Sequence, residues 1–168
     1  YLGVDSVPWD RASEAVASLV DNEGHFAPYI GGGGCYDYDA IHILTGAGLN
    51  DIEGYKNILN LTANTILSEQ NIDGGFCESL QVRPRSLVNI LRSTDHIFSA
   101  HGDARMERLR HAITLLRPKH NRISTHWSSY SRKWDESDLW DSWFRMLTIA
   151  RIDISFDSSK ISRWGFID

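Results

Sequence analysis

The 168-residue chain has only two cysteines and four prolines, and it has no long apolar run. Cys35 and Cys77 are too few for a disulfide scaffold and fit a reducing compartment, so a cytoplasmic location is expected. No stretch approaches the roughly 20 apolar residues that cross a bilayer. The N-terminus has no basic region followed by an apolar run and a small-residue cleavage site, so neither a membrane span nor a leader is expected. Positive charge is also scarce: 17 Lys and Arg stand against 22 Asp and Glu, a net charge of −5 with no basic run. Nucleic acid and anionic membrane surfaces are therefore not expected as partners. Gly-x-Ser-x-Gly, His-Glu-x-x-His, EF-hand and Cys-x-x-Cys patterns are missing, which leaves serine hydrolase, zincin, calcium and redox readings without a motif.

What is present belongs to a folded globular chain: 42% hydrophobic residues, 23% charged, and six each of Trp, Tyr and Phe. A chain of this size can bury roughly 70% of the surface it exposes when unfolded, which makes one domain over 1–168. It begins at Tyr1 and stops after the apolar run Trp164-Gly165-Phe166-Ile167, so a fragment of a longer protein is expected.

The chain repeats itself. Ala12-Ser-Glu-Ala-Val-Ala-Ser-Leu-Val-Asp-Asn-Glu-Gly-His-Phe26 lies over Thr62-Ala-Asn-Thr-Ile-Leu-Ser-Glu-Gln-Asn-Ile-Asp-Gly-Gly-Phe76 without gaps, at an offset of 76 − 26 = 50 residues. Each run reads as a helix, a tight turn and an aromatic. Gly24 and Gly74 supply the left-handed conformation that ends a helix, and Phe26 and Phe76 fold back on the apolar face before them. A second kind of segment follows: residues 37–48 align with 139–150, placing Tyr38 on Trp140 and Asp39 on Asp141.

The periodicity predicts outer, more polar helices over 11–21, 51–69 and 104–116, and inner, more apolar ones over 37–48, 85–93 and 139–150. There is no persuasive strand pattern. Helical pairs at a repeat near 50 residues, each unable to bury its face alone, stack into a solenoid or close into a toroid. The expected class is all-α, as stacked helical hairpins.

The run Leu67-Ser-Glu-Gln-Asn-Ile-Asp-Gly-Gly-Phe76 resembles the repeat of terpenoid cyclases and protein prenyltransferases: an apolar helix end, Gln, a short gap, Asp-Gly-Gly and an aromatic. Taken with the segments 31–42 and 137–145, it also resembles a group of bacterial proteins that carry this repeat without an assigned activity. The resemblance implies an α/α toroid with a central cavity. It points to an isoprenoid or similarly apolar substrate in that cavity but does not by itself imply the family's chemistry, since the Asp-x-Asp-Asp acid motif of the protonating cyclases has only Asp37-Tyr38-Asp39-Ala40 here. Prenyltransferases hold zinc with Asp, Cys and His. Cys35, Asp37, Asp39 and His42 stand together at a different spacing, and zinc would need help from Cys77 or His126. No metal or cofactor is assigned.

The candidate catalytic residues are Asp37, Asp39 and Asp141, and for Asp37 and Asp39 the alternative is helix N-capping. The candidate substrate-binding residues are Tyr38, His42, His126, Trp127, Asp138, Trp140, Trp143 and Arg145. Ring faces attract cations and apolar ligands, and Trp beside carboxylates also equips a sugar-binding cleft. The alternative is a capped, buried helix, with Asp138 as the cap and the Trp residues packed between repeats. Arg145, inside an apolar stretch, needs a carboxylate such as Asp39 or Asp141, or a ligand phosphate. Gly31 to Gly34 read as a rim loop, or as an anion site aided by His42, Arg83 and Arg85. His25, His96, His101, His111 and His120 read as solvent-facing or loop residues. The expected partner is a small-molecule or lipid-like (isoprenoid) substrate. The alternatives are a glycan handled by a lyase or glycosidase, or a scaffold that has lost chemistry.

Overall fold

The computed structural model describes residues 8–26, 34–49, 51–77, 87, 91, 94–99, 101–115 and 135–165. These residues form an all-α structure: α1 (Trp9–Ala17), α2 (Gly34–Gly46), α3 (Glu53–Ser68), α4 (Thr94–Ser99), α5 (Gly102–Leu115) and α6 (Leu139–Phe156), followed by two 3-10 turns. Among the described residues there is no strand, only the isolated bridges Val20–Phe26 and Phe76–Asp138. No helix among them is long and apolar enough to cross a membrane.

Helix boundaries follow local chemistry. α1 starts behind Pro8, whose carbonyl accepts from Ala12 N–H at 3.0 Å, and stops at Ala17, short of the expected Asp21. Two tighter bonds, Leu19 N–H to Val16 O and Val20 N–H to Ala17 O, close its end. α6 starts at Asp138, whose side chain accepts from Asp141 N–H at 2.8 Å, as an N-cap does. It runs past the expected Ala150 to Phe156 because the buried stripe Arg145, Thr148, Ile152 continues. The expected inner helix over 85–93 lies mostly outside the described residues; Leu87 and Leu91 are helical, and α4 is a further short helix after it.

The expected inner helices α2 and α6 pack on each other, while α1 covers α2 and α3 lies against α6. Phe26, Ala40, Ile41, Leu44, Leu59 and Ile152 form the core between them, rimmed by Val16, Leu19, Val20, Tyr55, Ile58 and Ala63. On α2 the buried positions 37, 40, 41 and 44 are one helical stripe. Truncating Leu44 there to Ala costs about 3 kcal/mol, from lost transfer energy plus the cavity left behind. α4 and α5 pair separately through Ile97 and Ala112.

The two repeat turns share one geometry. Gly24 and Gly74 both have φ of 86°. Asp21 N–H donates to His25 O and Asn71 N–H to Gly75 O, each at 2.9 Å. Both phenylalanines are buried. Each turn also docks onto the first turn of an inner helix: Phe26 N–H donates to Asp37 Oδ1 at 2.6 Å, and Phe76 N–H to Ser142 Oγ at 2.9 Å. The structural offset between α2 and α6 is thus 142 − 37 = 105 residues, matching their first residues at 139 − 34 = 105. This moves the alignment of the inner segments by three residues, one near-turn of helix, from the pairing of Asp39 with Asp141.

Candidate functional site

In the first turn, Asp21 Oδ1 accepts from the N–H groups of Glu23 at 2.9 Å and His25 at 3.0 Å, and Thr62 Oγ1 donates to Gly24 O at 2.7 Å. This fixes the backbone that carries His25, whose ring is wholly buried. His25 Nδ1 lies 2.9 Å from Asp37 Oδ2, and His25 Nε2 lies 3.1 Å from Glu69 Oε1. Arg145 NH1 lies 2.6 Å from Asp37 Oδ2 and 3.2 Å from His25 Nδ1, while its NH2 is 3.7 Å from Glu69 Oε2. Four charged or chargeable groups from the turn, α2, the end of α3 and α6 therefore meet out of solvent. Charges buried this way require mutual pairing and hydrogen bonding, because each loses its hydration on folding.

The second turn solves the same docking problem without charge at that position. Gly75 takes the place of His25, and a Cβ there would sit 2.6 Å from Ser137 Cβ. Asn71 Nδ2 donates to Ser137 Oγ at 2.9 Å, and Ser137 Oγ donates to Asp73 Oδ1 at 2.7 Å. The Ser137 hydroxyl, and after it the Gly75 N–H, hold the exposed Asp73 carboxyl below the usual aspartate range.

The second feature is an aromatic face beside the buried stripe. Tyr38 on α2 meets Phe144 on α6 at 6.0 Å between ring centroids. Phe144 in turn packs against Trp140 at 5.1 Å, edge to face, and against Trp143 at 5.1 Å. His42, one turn along α2, stands 6.1 Å from Tyr38. Trp140 is 52% and Trp143 53% exposed, and Leu139 next to them is 87% exposed. The Trp residues are therefore not enclosed between repeats. Contiguous exposed aromatic surface of this kind marks a binding surface more often than scattered apolar residues do.

Of the residues singled out by sequence, Tyr38, His42, Trp140 and Trp143 come together on this face, with Phe144 added. Asp39 is exposed on α2. Asp37 is enclosed in the four-residue network and accepts from the preceding turn rather than capping its own helix. Asp141 is buried in the first turn of α6, and Asp138 is that helix's N-cap. Arg145 is 1% exposed, and its carboxylate partners are Asp37 and Glu69 in place of the expected Asp39 or Asp141. His126 and Trp127 lie outside the described residues, as do Gly31 to Gly33. His101 is exposed; His25 lies in a loop as expected but is buried, and His96 is helical and buried, contrary to the expectation. The turn's own hydrogen bonds pull His25 inward toward Asp37, and the Arg108 guanidinium donates to the His96 carbonyl.

His25 and Glu69 are the members of the network that sequence reasoning missed. The signal available was the non-equivalence of the repeats: His25 stands where the second turn has glycine. Cys35 is exposed and Cys77 is buried. Among the described residues no group of three or more His, Cys, Asp and Glu is placed to hold a metal. A separate cleft of about 390 Å³ is lined by Ser18, Val20, Asp21, Asn22, Asp95, His96 and Ser99. None of the aromatic-face residues lines it. No protein family, curated protein or solved structure compared with the chain matches it.

Proposed function

We propose that the chain is part of an α/α toroid of the terpenoid cyclase and prenyltransferase type, and that the aromatic face of its two inner helices binds an isoprenoid or similarly apolar ligand. The observation that carries this reading is the run of touching rings Tyr38, Phe144, Trp140 and Trp143 across α2 and α6, the first two partly buried and the two indoles half-exposed. An apolar chain laid on such rings gains roughly 25 cal/mol for each Å² of surface removed from water. Arg145, the cation nearest in sequence to these rings, is engaged by Asp37 and Glu69, which favours the hydrocarbon over a diphosphate as the recognised part. Any acid–base role falls to Asp39, since of the three candidate carboxylates it alone is exposed.

A glycan is the second reading, favoured by the same half-exposed Trp residues together with exposed Asp39. Trp stacks on sugar faces and carboxylates bind hydroxyls. The deciding experiment is a thermal-shift series on the full chain with farnesol, geranylgeraniol and neutral oligosaccharides. A ligand at 100 times its Kd adds about 2.7 kcal/mol, a shift of a few degrees. Stabilisation by the prenyl alcohols alone is the expected result. Stabilisation by sugars alone selects the glycan reading, and a flat response to both moves the protein to a scaffold role.

A further inference from the structure

The buried group around His25 is a candidate for regulation, because it joins the very helices that carry the aromatic face. A neutral imidazole has one N–H and one lone pair, whereas an imidazolium donates from both nitrogens. Both ring nitrogens of His25 face carboxylate oxygens, Asp37 Oδ2 at 2.9 Å and Glu69 Oε1 at 3.1 Å. Either neutral tautomer would set a nitrogen lone pair against an oxygen lone pair at hydrogen-bond distance. The protonated ring alone donates to both carboxylates; the Nε2–H tautomer donates only to Glu69 and leaves its Nδ1 lone pair against Asp37, with the Arg145 guanidinium as donor at the longer 3.2 Å.

Charge balance points the same way. The charged groups at the ring nitrogens are Asp37 from α2, Glu69 from the end of α3 and Arg145 from α6, while the Asp21 carboxylate of the same turn takes the backbone N–H of His25 at 3.0 Å. With Arg145 as the facing cation, a protonated His25 brings the set of Asp37, Glu69, Arg145 and His25 to neutrality. A neutral ring leaves two carboxylates against one guanidinium among these four groups, whose side chains are almost completely shielded from water.

We propose that His25 is held as an imidazolium in the folded protein, and that its proton is a pH-sensitive clasp holding the first turn and α3 to α2 and α6. The clasp reaches the aromatic face directly, because Asp37 and Arg145 are chain neighbours of Tyr38 and Phe144. Loss of the proton on the alkaline side leaves a single ring N–H, so one of the two attractive contacts turns repulsive, and the rings of α2 and α6 then lose part of the anchor that sets their spacing. The sign is that of a group whose proton affinity rises on folding. Its contribution is complete below the ordinary histidine value of about 6.5 and is lost as pH rises through the higher folded value. The effect on ligand binding rests on the reading of the aromatic face given above, whereas the clasp itself does not.

The test uses the ligand-free full chain. Long-range ¹H–¹⁵N spectra report the protonation of each histidine ring, and His25→Gln assigns the His25 signal by its disappearance. At about pH 7.5, one unit above the ordinary value, the His25 ring should show two protonated nitrogens. A neutral tautomer of His25 at that pH overturns the proposal. Tryptophan near-UV circular dichroism should then change at the pH where His25 titrates. Titration of His25 with an unchanged aromatic signal overturns the coupling to the face. If His25→Gln does not fold, the histidine that titrates last in the wild type serves as the signal, and the same two outcomes decide. Neither measurement involves a ligand, so failure of the apolar-ligand reading leaves both intact.

Discussion

Arg145 donates to the Asp37 carboxylate at 2.6 Å across 108 residues of chain, and the chain neighbour of each, Phe144 and Tyr38, meets the other at 6.0 Å. An enclosed ion pair and a partly open ring contact are thus built side by side on the same two helices. The first sets how closely α2 and α6 approach, and the second presents that spacing to whatever the rings bind. At the far end, Arg151 Nε donates to Thr45 Oγ1 at 2.9 Å, a second polar tie between α2 and α6.

Arg145→Met should be strongly destabilising, by about 3–5 kcal/mol, because it leaves the Asp37 and Glu69 carboxylates buried without their guanidinium. Arg145→Lys should recover only part of the loss, since a single ammonium cannot reach two carboxylates with the planar fork of Arg. Urea denaturation of the three proteins measures the order. A stable Arg145→Met protein would mean that the buried charges are compensated by other groups.

The two repeat glycines should differ although their backbones agree. Gly24 and Gly74 both have φ of 86°, so an alanine at either pays about 1–2 kcal/mol for the left-handed conformation. At Gly74 a Cβ meets nothing within 4 Å, whereas at Gly24 it would stand 2.9 Å from both Leu61 Cγ and the Thr62 backbone nitrogen. Overpacking of that kind adds about 1–3 kcal/mol. Equal denaturation midpoints for Gly24→Ala and Gly74→Ala would contradict this placement of the first turn against α3.

Much of the architecture was legible because it follows from periodicity. The stripe of Ile41 and Leu44, the repeat ending in Phe26 and Phe76, and the Asp138 cap each depend on residues close in sequence. The network was legible only in part. Arg145 announced itself as a cation in an apolar helix, yet its partners Asp37 and Glu69 lie 108 and 76 residues away by sequence number, and no local rule selects them over Asp39 or Asp141. The helical phase decides: Asp37 shares the buried stripe with Ile41 and Leu44, while Asp39 is turned to solvent. His25 was hidden for the same reason, since its burial depends on a docking of turn upon helix that only the tertiary fold creates.

Trp143→Ala separates folding from binding. The indole is 53% exposed and its ring contact with Phe144 is partial, so stability should fall by no more than about 0.5–1.5 kcal/mol. Affinity for farnesol should fall further, by about 2 kcal/mol or roughly thirtyfold in Kd, as expected for an aromatic anchor desolvated by its ligand. Fluorescence titration of the variant measures the change through the remaining tryptophans. Parent-like affinity would place the ligand elsewhere on the protein.

The C-terminal segment should show an acid-side pH dependence opposite in sense to that of His25. Asp153 Oδ1 accepts from Lys160 Nζ at 2.6 Å and Asp153 Oδ2 accepts from Trp164 Nε1 at 3.0 Å, tying the two 3-10 turns, Ser158–Lys160 and Ser162–Trp164, back onto α6. The Lys160 bond first, and the Trp164 bond second, hold the Asp153 carboxyl below the ordinary aspartate range. A carboxyl lowered on folding contributes above its ordinary value of about 3.9, and that contribution is lost as pH falls through the lower folded value. The group is partly solvated, so the whole effect should stay below about 1 kcal/mol. Asp153→Asn should therefore lower Tm slightly at about pH 6, and the gap to the wild type should close as the pH is taken below about 4. Trp164 fluorescence should report release of the segment over the same range. A gap that persists unchanged in acid would show that the tie depends on packing of Trp164 rather than on the ionised carboxylate.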